Sequence, residues 1–423
     1  MNRNIYEQYI AILEGELVPA LGCTEPIAIA LAAAKARQVL GEEPQKMVVS
    51  CSGNIIKNVK GVVVPNSGGL KGIDTSAVLG AVGGDPERGL EVLTAVTPAD
   101  LQRARELLDA GICETELLEG VSNLQIIVEV TAGEHTSVVE ICYSHTNIVR
   151  VERDGEVLVG GADTPVEDHL SEAYELLDLA DIYIFAETVD LDDVRKVISR
   201  QIEYNYAIAK EGLSHPYGAQ VGRTLLSEYG DDVKIRARAW AAAGSDARMS
   251  GCALPVVTNS GSGNQGMTVC LPVLAYAQEL GVSEEKAYRA LVLSNLIAIY
   301  QKKGLGKLSA YCGAVSAAAA SGAAITYLCG GDFEAICRTV VNTLADVSGV
   351  VCDGAKPSCA AKIASAVDAA ILSHCMSLQN RTFGAGEGLV MSTPEETVQA
   401  IGRMGRVGMK STDVEILNIM IGK

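Results

Sequence analysis

The chain has 423 residues, of which 48% are hydrophobic and only 4% aromatic, with 43 glycines and 12 cysteines, so its apolar mass is Ala, Val, Ile and Leu packed through small side chains. The length allows two or three domains and a large buried core. A formal charge of −18 excludes an electrostatic hold on nucleic acid, which needs clustered Lys and Arg.

The opening MNRNIYEQYIAILEGEL has the pattern of a charged amphipathic helix and not of a secretory leader, so the cysteines are expected as thiols in the reducing cytoplasm. GCTEP, at residues 22–26, interrupts the next apolar run, and Pro26 suits an early position of a second helix. Residues 1–45 are read as N-terminal helices that pack back onto a helical domain and carry Cys23 toward its centre. From Lys46 the pattern changes: KMVVSCSG, IIVEVTAG, TSVVEICYS and NIVRVERDG are short β-branched runs ended by turns, and PADLQRARELLDAG and VEDHLSEAYELLDLADIYIFAETV carry helical spacing. Residues 46–192 are therefore expected to form an α+β domain.

Beyond Asp192 the strand signal disappears, and residues 193–423 are expected to be an all-α domain. The predicted class is α+β, with a mixed α/β domain inserted beside a mainly α-helical bundle. Ala310–Gly331 is almost free of charge and nearly long enough to cross a bilayer. Its bulk is Ala, Gly and Ser without aromatic or cationic flanks, so it reads as a buried core helix, and no membrane partner is expected. The abundant small apolar residues favour a homo-oligomer.

Three cysteines stand out. Cys312 ends KLSAYC, and Cys352 and Cys359 follow in VVCDGAKPSC with six residues between them. A thiolate, a long spacer and a cysteine pair in a Gly/Pro loop suit a loop-held iron–sulfur cluster, because the loop must curl its sulfurs toward one place. Cys23 is a fourth thiol for the same site. Structural zinc is the rival use of such thiolates, but its tight CxxC knuckles are absent. Inert buried thiols are the plainer alternative, against which stands the irregular polar loop around Cys352 and Cys359.

Polar loops supply candidate substrate contacts. In PVVTNSGSGNQGMT, Asn259, Ser262, Gly263, Asn264 and Gln265 come just before an apolar stretch, where the amides of a helix entrance can hold a carboxylate and the polar side chains can add hydrogen bonds. A phosphate loop would need a Lys-Ser/Thr ending that is missing, and a capped turn is the structural alternative. VVVPNSGGLKG offers Asn66, Ser67 and Gly68, and GLSHPYGAQ offers Ser214 and His215, the latter a possible acid or base. Lys302, Lys303 and Lys307 place positive charge just before Cys312.

GCTEP, the SGN and PNSGG loops, GLSHPYG, TNSGSGNQG, KLSAYCGAV and VCDGAKPSC occur in this order along nearly the whole chain. Together they resemble the iron–sulfur L-cysteine desulfidases, relatives of the iron–sulfur L-serine dehydratases. The resemblance implies an oxygen-sensitive [4Fe–4S] cluster on Cys312, Cys352 and Cys359 with one iron left open. It also implies a role for Cys23 as fourth ligand or catalytic base, with His215 the lesser base candidate. The expected reaction is β-elimination from L-cysteine to pyruvate, ammonia and hydrogen sulfide. L-Serine dehydration by the same mechanism is the alternative. No lysine marks a pyridoxal-phosphate lyase, and a non-enzymatic amino-acid-binding or membrane-associated protein is the reading from another class.

Overall fold

The computed structural model describes residues 2–160, 170–306 and 308–423. Helix α1 (Arg3–Glu16) turns Tyr9, Ile12 and Leu13 into the helical bundle, where the Tyr9 ring meets Phe185 edge-on at 5.4 Å. A short strand β1 (Pro19–Leu21) then pairs antiparallel with Pro255–Val257. Helix α2 (Thr24–Leu40) does not join the bundle as its neighbour does. It is apolar on nearly every face and buries itself in a second core with Met47, Val49, Ile126 and Val128 of the sheet. Its alanines allow backbone contact: a Cβ at Gly80 would fall 2.4 Å from the Ala30 carbonyl oxygen.

The sheet unit continues with β2 (Lys46–Ser52), α3 (Gly53–Val59), α4 (Ile73–Gly83) and α5 (Pro98–Asp109). Then come β3 (Cys113–Leu118), β4 (Gln125–Ala132), β5 (His135–Cys142), β6 (Ile148–Arg153) and β7 (Glu156–Gly160). The six strands lie in the order β3-β2-β4-β5-β6-β7, with β2 and β3 parallel and the other pairs antiparallel. Alternate residues of β4 are buried, the period expected where helices cover one face.

The bundle takes in α6 (Ser171–Glu175), α7 (Leu179–Thr188) and α8 (Leu191–Ser214), so Leu179, Ile182 and Phe185 belong to its core and not to the sheet unit. Part of the segment VEDHL before α6 lies outside the described residues. There follow α9 (Val221–Tyr229), α10 (Val233–Met249), β8 (Pro255–Val257), α11 (Gly263–Leu280) and α12 (Glu284–Leu305). The chain ends with α13 (Gly313–Leu328), α14 (Phe333–Val347), α15 (Cys359–Leu378), α16 (Pro394–Arg403) and α17 (Lys410–Ile421).

The charge-free α13 is the axis of the bundle, buried from Ala314 to Leu328 among α11, α12, α14 and α15. Among the described residues one helix, α15, is long and apolar enough to cross a membrane, and 56% of its apolar window is buried by its neighbours. The last helix, α17, leaves the bundle and lies on α3. There Asp413 accepts from Asn54 Nδ2 at 2.8 Å and pairs with the buried Lys57 ammonium at 2.5 Å. The architecture is thus mixed α+β, a six-stranded mixed sheet beside a helical bundle.

Candidate active site

Backbone pairing brings the distant thiols together. Tyr311 and Val351 form an antiparallel bridge, in which Cys312 N–H donates to Val350 O at 3.1 Å and Cys352 N–H donates to Ala310 O at 2.6 Å. Cys312 is then the N-cap of α13, and Cys359 is the first residue of α15. The loop between Cys352 and Cys359 curls tightly. Gly354 has φ +92° and lies on α3, where a Cβ would fall 2.2 Å from the Lys57 carbonyl oxygen. Asp353 clamps the loop, 2.5 Å from Lys356 Nζ and in contact with Lys362 Nζ. Burial pushes the Asp353 carboxyl up, but the two ammonium groups outweigh it and hold the group at about 2.

Cys23 joins them as the N-cap of α2. Gly22 before it has φ +62° and presses on Pro65, whose Cγ would lie 2.1 Å from a Cβ. Cys23 packs with Val62 and Met249, and Ala355 and Cys359 close against that cluster. Cys23, Cys312, Cys352 and Cys359 all line one cavity of about 100 Å³, with Ser262, Asn264, Gln265, Arg248, Glu25 and Lys302 in its walls. Four helices begin here: Cys23, Ser262 and Cys312 cap α2, α11 and α13, and Cys359 opens α15. Their N-terminal amides and dipoles favour bound negative charge, whether thiolate or carboxylate.

The donor set fits an iron–sulfur cluster. Three thiols ring a common space, although among the described residues no group of three His, Cys, Asp or Glu side chains is gathered as a metal site. A cluster takes each thiolate on a different iron, whereas structural zinc takes all of them at one centre. Burial first, then the neighbouring Cys352, pushes the Cys312 thiol up to about 12, and burial raises Cys359 as well. A cluster held by these thiols would release their protons on binding.

The other charges are strongly shaped by burial. Cys23 is raised well above an ordinary thiol by desolvation and by the charge of Glu25, with Arg248 opposing. Its Sγ donates to Glu25 Oε2 at 3.0 Å, and Asn58 Nδ2 donates to Glu25 Oε1 at 3.1 Å. Burial would raise the Glu25 carboxyl, but the nearby His145 and the Cys23 donor outweigh it and hold the group at about 2. Lys302, lining the cavity, is lowered to about 8 by burial, against the pull of Cys352, Cys312 and Glu16. Lys303 instead pairs with Glu175 at 2.7 Å, and Lys307 lies outside the described residues.

Of the predicted substrate loops, only the one entering α11 reaches the cavity, through Ser262 and Asn264. Gly263 between them must be small, because a Cβ would lie 2.6 Å from Arg248 Nε. Asn259 stands behind that loop, its Nδ2 donating to Asn295 Oδ1 at 3.0 Å, and so holds the loop's shape. Asn66, Ser67 and Gly68 do not line the cavity. Asn66 Nδ2 donates to Leu93 O, Ser67 Oγ to Leu70 O, and Gly68 sits beside Arg105, so this turn is satisfied within the sheet unit. Ser214 and His215 end α8 in solvent, with His215 Nδ1 3.0 Å from Glu211 Oε1, and neither lines the cavity.

Two wall residues, Arg248 and Glu25, and one residue behind the wall, His145, escaped the sequence reading. Arg248 is a single cation in the small-residue run AWAAAGSDARMSG, a signal that was available. Glu25 stood inside GCTEP without an assigned role. His145, from the loop between β5 and β6, carries no local signal at all; its burial beside Glu25 is a tertiary fact.

A family model for the serine dehydratase alpha chain matches residues 87–418. A UPF0597 protein of Lachnoclostridium phytofermentans is 56% identical, covering 99% of this chain and 100% of the relative. UPF0597 proteins of Desulfitobacterium hafniense and Treponema denticola are 50% and 46% identical, covering 99% and 100% of this chain and 97% and 99% of the relatives. Family, thiol-ringed cavity and converging helix ends agree: the chain belongs to the serine dehydratase alpha-chain family, whose members are iron–sulfur-dependent lyases acting on small molecules.

Proposed function

We propose that the chain is a cytoplasmic L-cysteine desulfidase with a [4Fe–4S] cluster on Cys312, Cys352 and Cys359. The observation that supports this reading is the single cavity shared by these thiols, Cys23 and the entrance of α11. Membership of the serine dehydratase family supports β-elimination from a small amino acid. The preference for cysteine rests on the resemblance of GCTEP and the one-chain arrangement to the desulfidases.

When bound, the cluster supplies a Lewis-acidic iron for the departing sulfur. The chain's own residues do the rest. The α11 entrance holds the substrate, and Cys23, as thiolate, takes the α-proton. The Cα–H electrons form the Cα–Cβ double bond as the Cβ–S bond breaks and sulfide leaves. The aminoacrylate tautomerises to an imine, and water hydrolyses it to pyruvate and ammonia. Burial and Glu25 favour the protonated Cys23 thiol and prevail, with Arg248 and the α2 N-terminus opposing them.

The test is anaerobic reconstitution followed by sulfide and pyruvate assays on L-cysteine and L-serine side by side. Faster turnover of L-cysteine is expected. Pyruvate from L-serine alone would replace the desulfidase with a dehydratase, the second reading favoured by the family match, and turnover of neither would remove the lyase.

A further inference from the structure

Resting on the lyase reading, we infer that Arg248, Gln265 and Asn264 recognise the two charged ends of a free α-amino acid. Arg248 receives the α-carboxylate at the first turn of α11, and Gln265 Oε1 and Asn264 Oδ1 receive the α-ammonium. Arg248 is 2% exposed, and its one hydrogen bond among the described residues runs from Nε to Gly22 O at 2.8 Å. No described carboxylate pairs with it. A buried guanidinium without a counter-charge is costly, so a cavity walled by one is built to take an anion.

The guanidinium also lies over the start of α11, since a Cβ at Gly263 would fall 2.9 Å from Arg248 Cζ. A carboxylate on the free Arg248 nitrogens therefore meets the unsatisfied amides of that helix.

The same wall holds acceptors in want of a donor. Gln265 Oε1 and Asn264 Oδ1 are buried and make no hydrogen bond, and Gln265 is only 5% exposed. Leaving such carbonyls unmet costs about 1–3 kcal/mol each. An ammonium brings three donors and positive charge. Gln265 lies over Gly313, where a Cβ would fall 2.6 Å from its Cδ, so the amine end is set beside Cys312. Cation and acceptors on one wall match a zwitterion; an amine or an acid alone satisfies only half of it.

Isothermal titration of the anaerobic holoenzyme with L-alanine, which has no leaving group, tests the assignment against L-alaninamide and propionate. L-Alanine is expected to bind tighter than either by on the order of 100-fold. Arg248→Gln should bring L-alanine and L-alaninamide close to parity with iron content unchanged. Gln265→Leu, which leaves the Gly22 contact intact, should weaken L-alanine by roughly 10-fold and leave propionate unaltered. No binding of L-alanine, undiminished discrimination in Arg248→Gln, or equal weakening of both ligands in Gln265→Leu would overturn the inference. The two readings fail separately. Arg248-dependent L-alanine binding without any sulfide or pyruvate release removes only the lyase, and desulfuration at parental KM in Arg248→Gln removes only the anchor.

Discussion

His145 Nε2 stands 3.8 Å from Glu25 Oε1, where the loop between β5 and β6 meets the start of α2. The same imidazole lies over the bundle's SGSG loop, since a Cβ at Gly261 would fall 3.1 Å from its Cε1 and Nδ1. One buried ring thus joins the sheet unit, the Cys23 turn and the α11 entrance. His145→Ala should lower stability by about 1–3 kcal/mol and turnover at least about tenfold, with iron retained. Thermal melts, iron analysis and sulfide release measure this, and parental turnover would show that the contact has no functional consequence.

The four thiols should separate into two classes. Ala at Cys312, Cys352 or Cys359 removes a ligand and should abolish retention of iron and acid-labile sulfide. Cys23→Ala should keep most of the iron yet lose on the order of 10²-fold or more in turnover, as expected for a lost base. Full iron content in the first class would show the ligands to be misassigned. Surviving activity in Cys23→Ala would make that thiol a resting-state ligand only.

The C-terminal helix should support the site from outside. Lys57 is 1% exposed and pairs with Asp413, its carbonyl supports Gly354 in the cysteine loop, and the next residue, Asn58, holds Glu25. Asp413→Ala strands a buried ammonium and should cost about 3 kcal/mol, with iron retention falling as α3 loosens. A variant with an unchanged melting temperature would show that α17 is an ornament on this face.

Acid sensitivity should trace in part to His374, buried in the bundle with Nδ1 3.0 Å from Thr326 Oγ1. Burial lowers its folded value from 6.5 to about 4, so the fold prefers the neutral ring and the unfolded chain takes up the proton first. Its contribution is complete above pH 6.5 and is lost as pH falls toward about 4, with no further loss below. The difference amounts to about 3 kcal/mol. His374→Leu should flatten that part of the stability profile between pH 7 and 4; a parallel decline in parent and variant would assign it elsewhere.

The candidate thiols were legible because their signal is local. A Gly/Pro loop with two cysteines and a cysteine at a helix start state their chemistry within a few residues. The polar loops show the limit of that reading. PNSGG and TNSGSGNQG are alike in composition, yet the first spends its polar groups on Leu70, Leu93 and its own turn, and only the second faces the cavity. The placement of α2 was illegible for a related reason, because a helix apolar all round can be buried against either neighbour.

By itself, the sequence marked the candidate thiols and laid out the helical and β-rich segments, since side-chain chemistry and periodicity are local properties. Tertiary structure alone decided which side chains share a wall. Arg248 meets Gly22 across 226 residues, and His145 reaches Glu25 from another sheet loop. Such contacts follow from how four helix ends converge, and no short stretch of chain encodes that convergence.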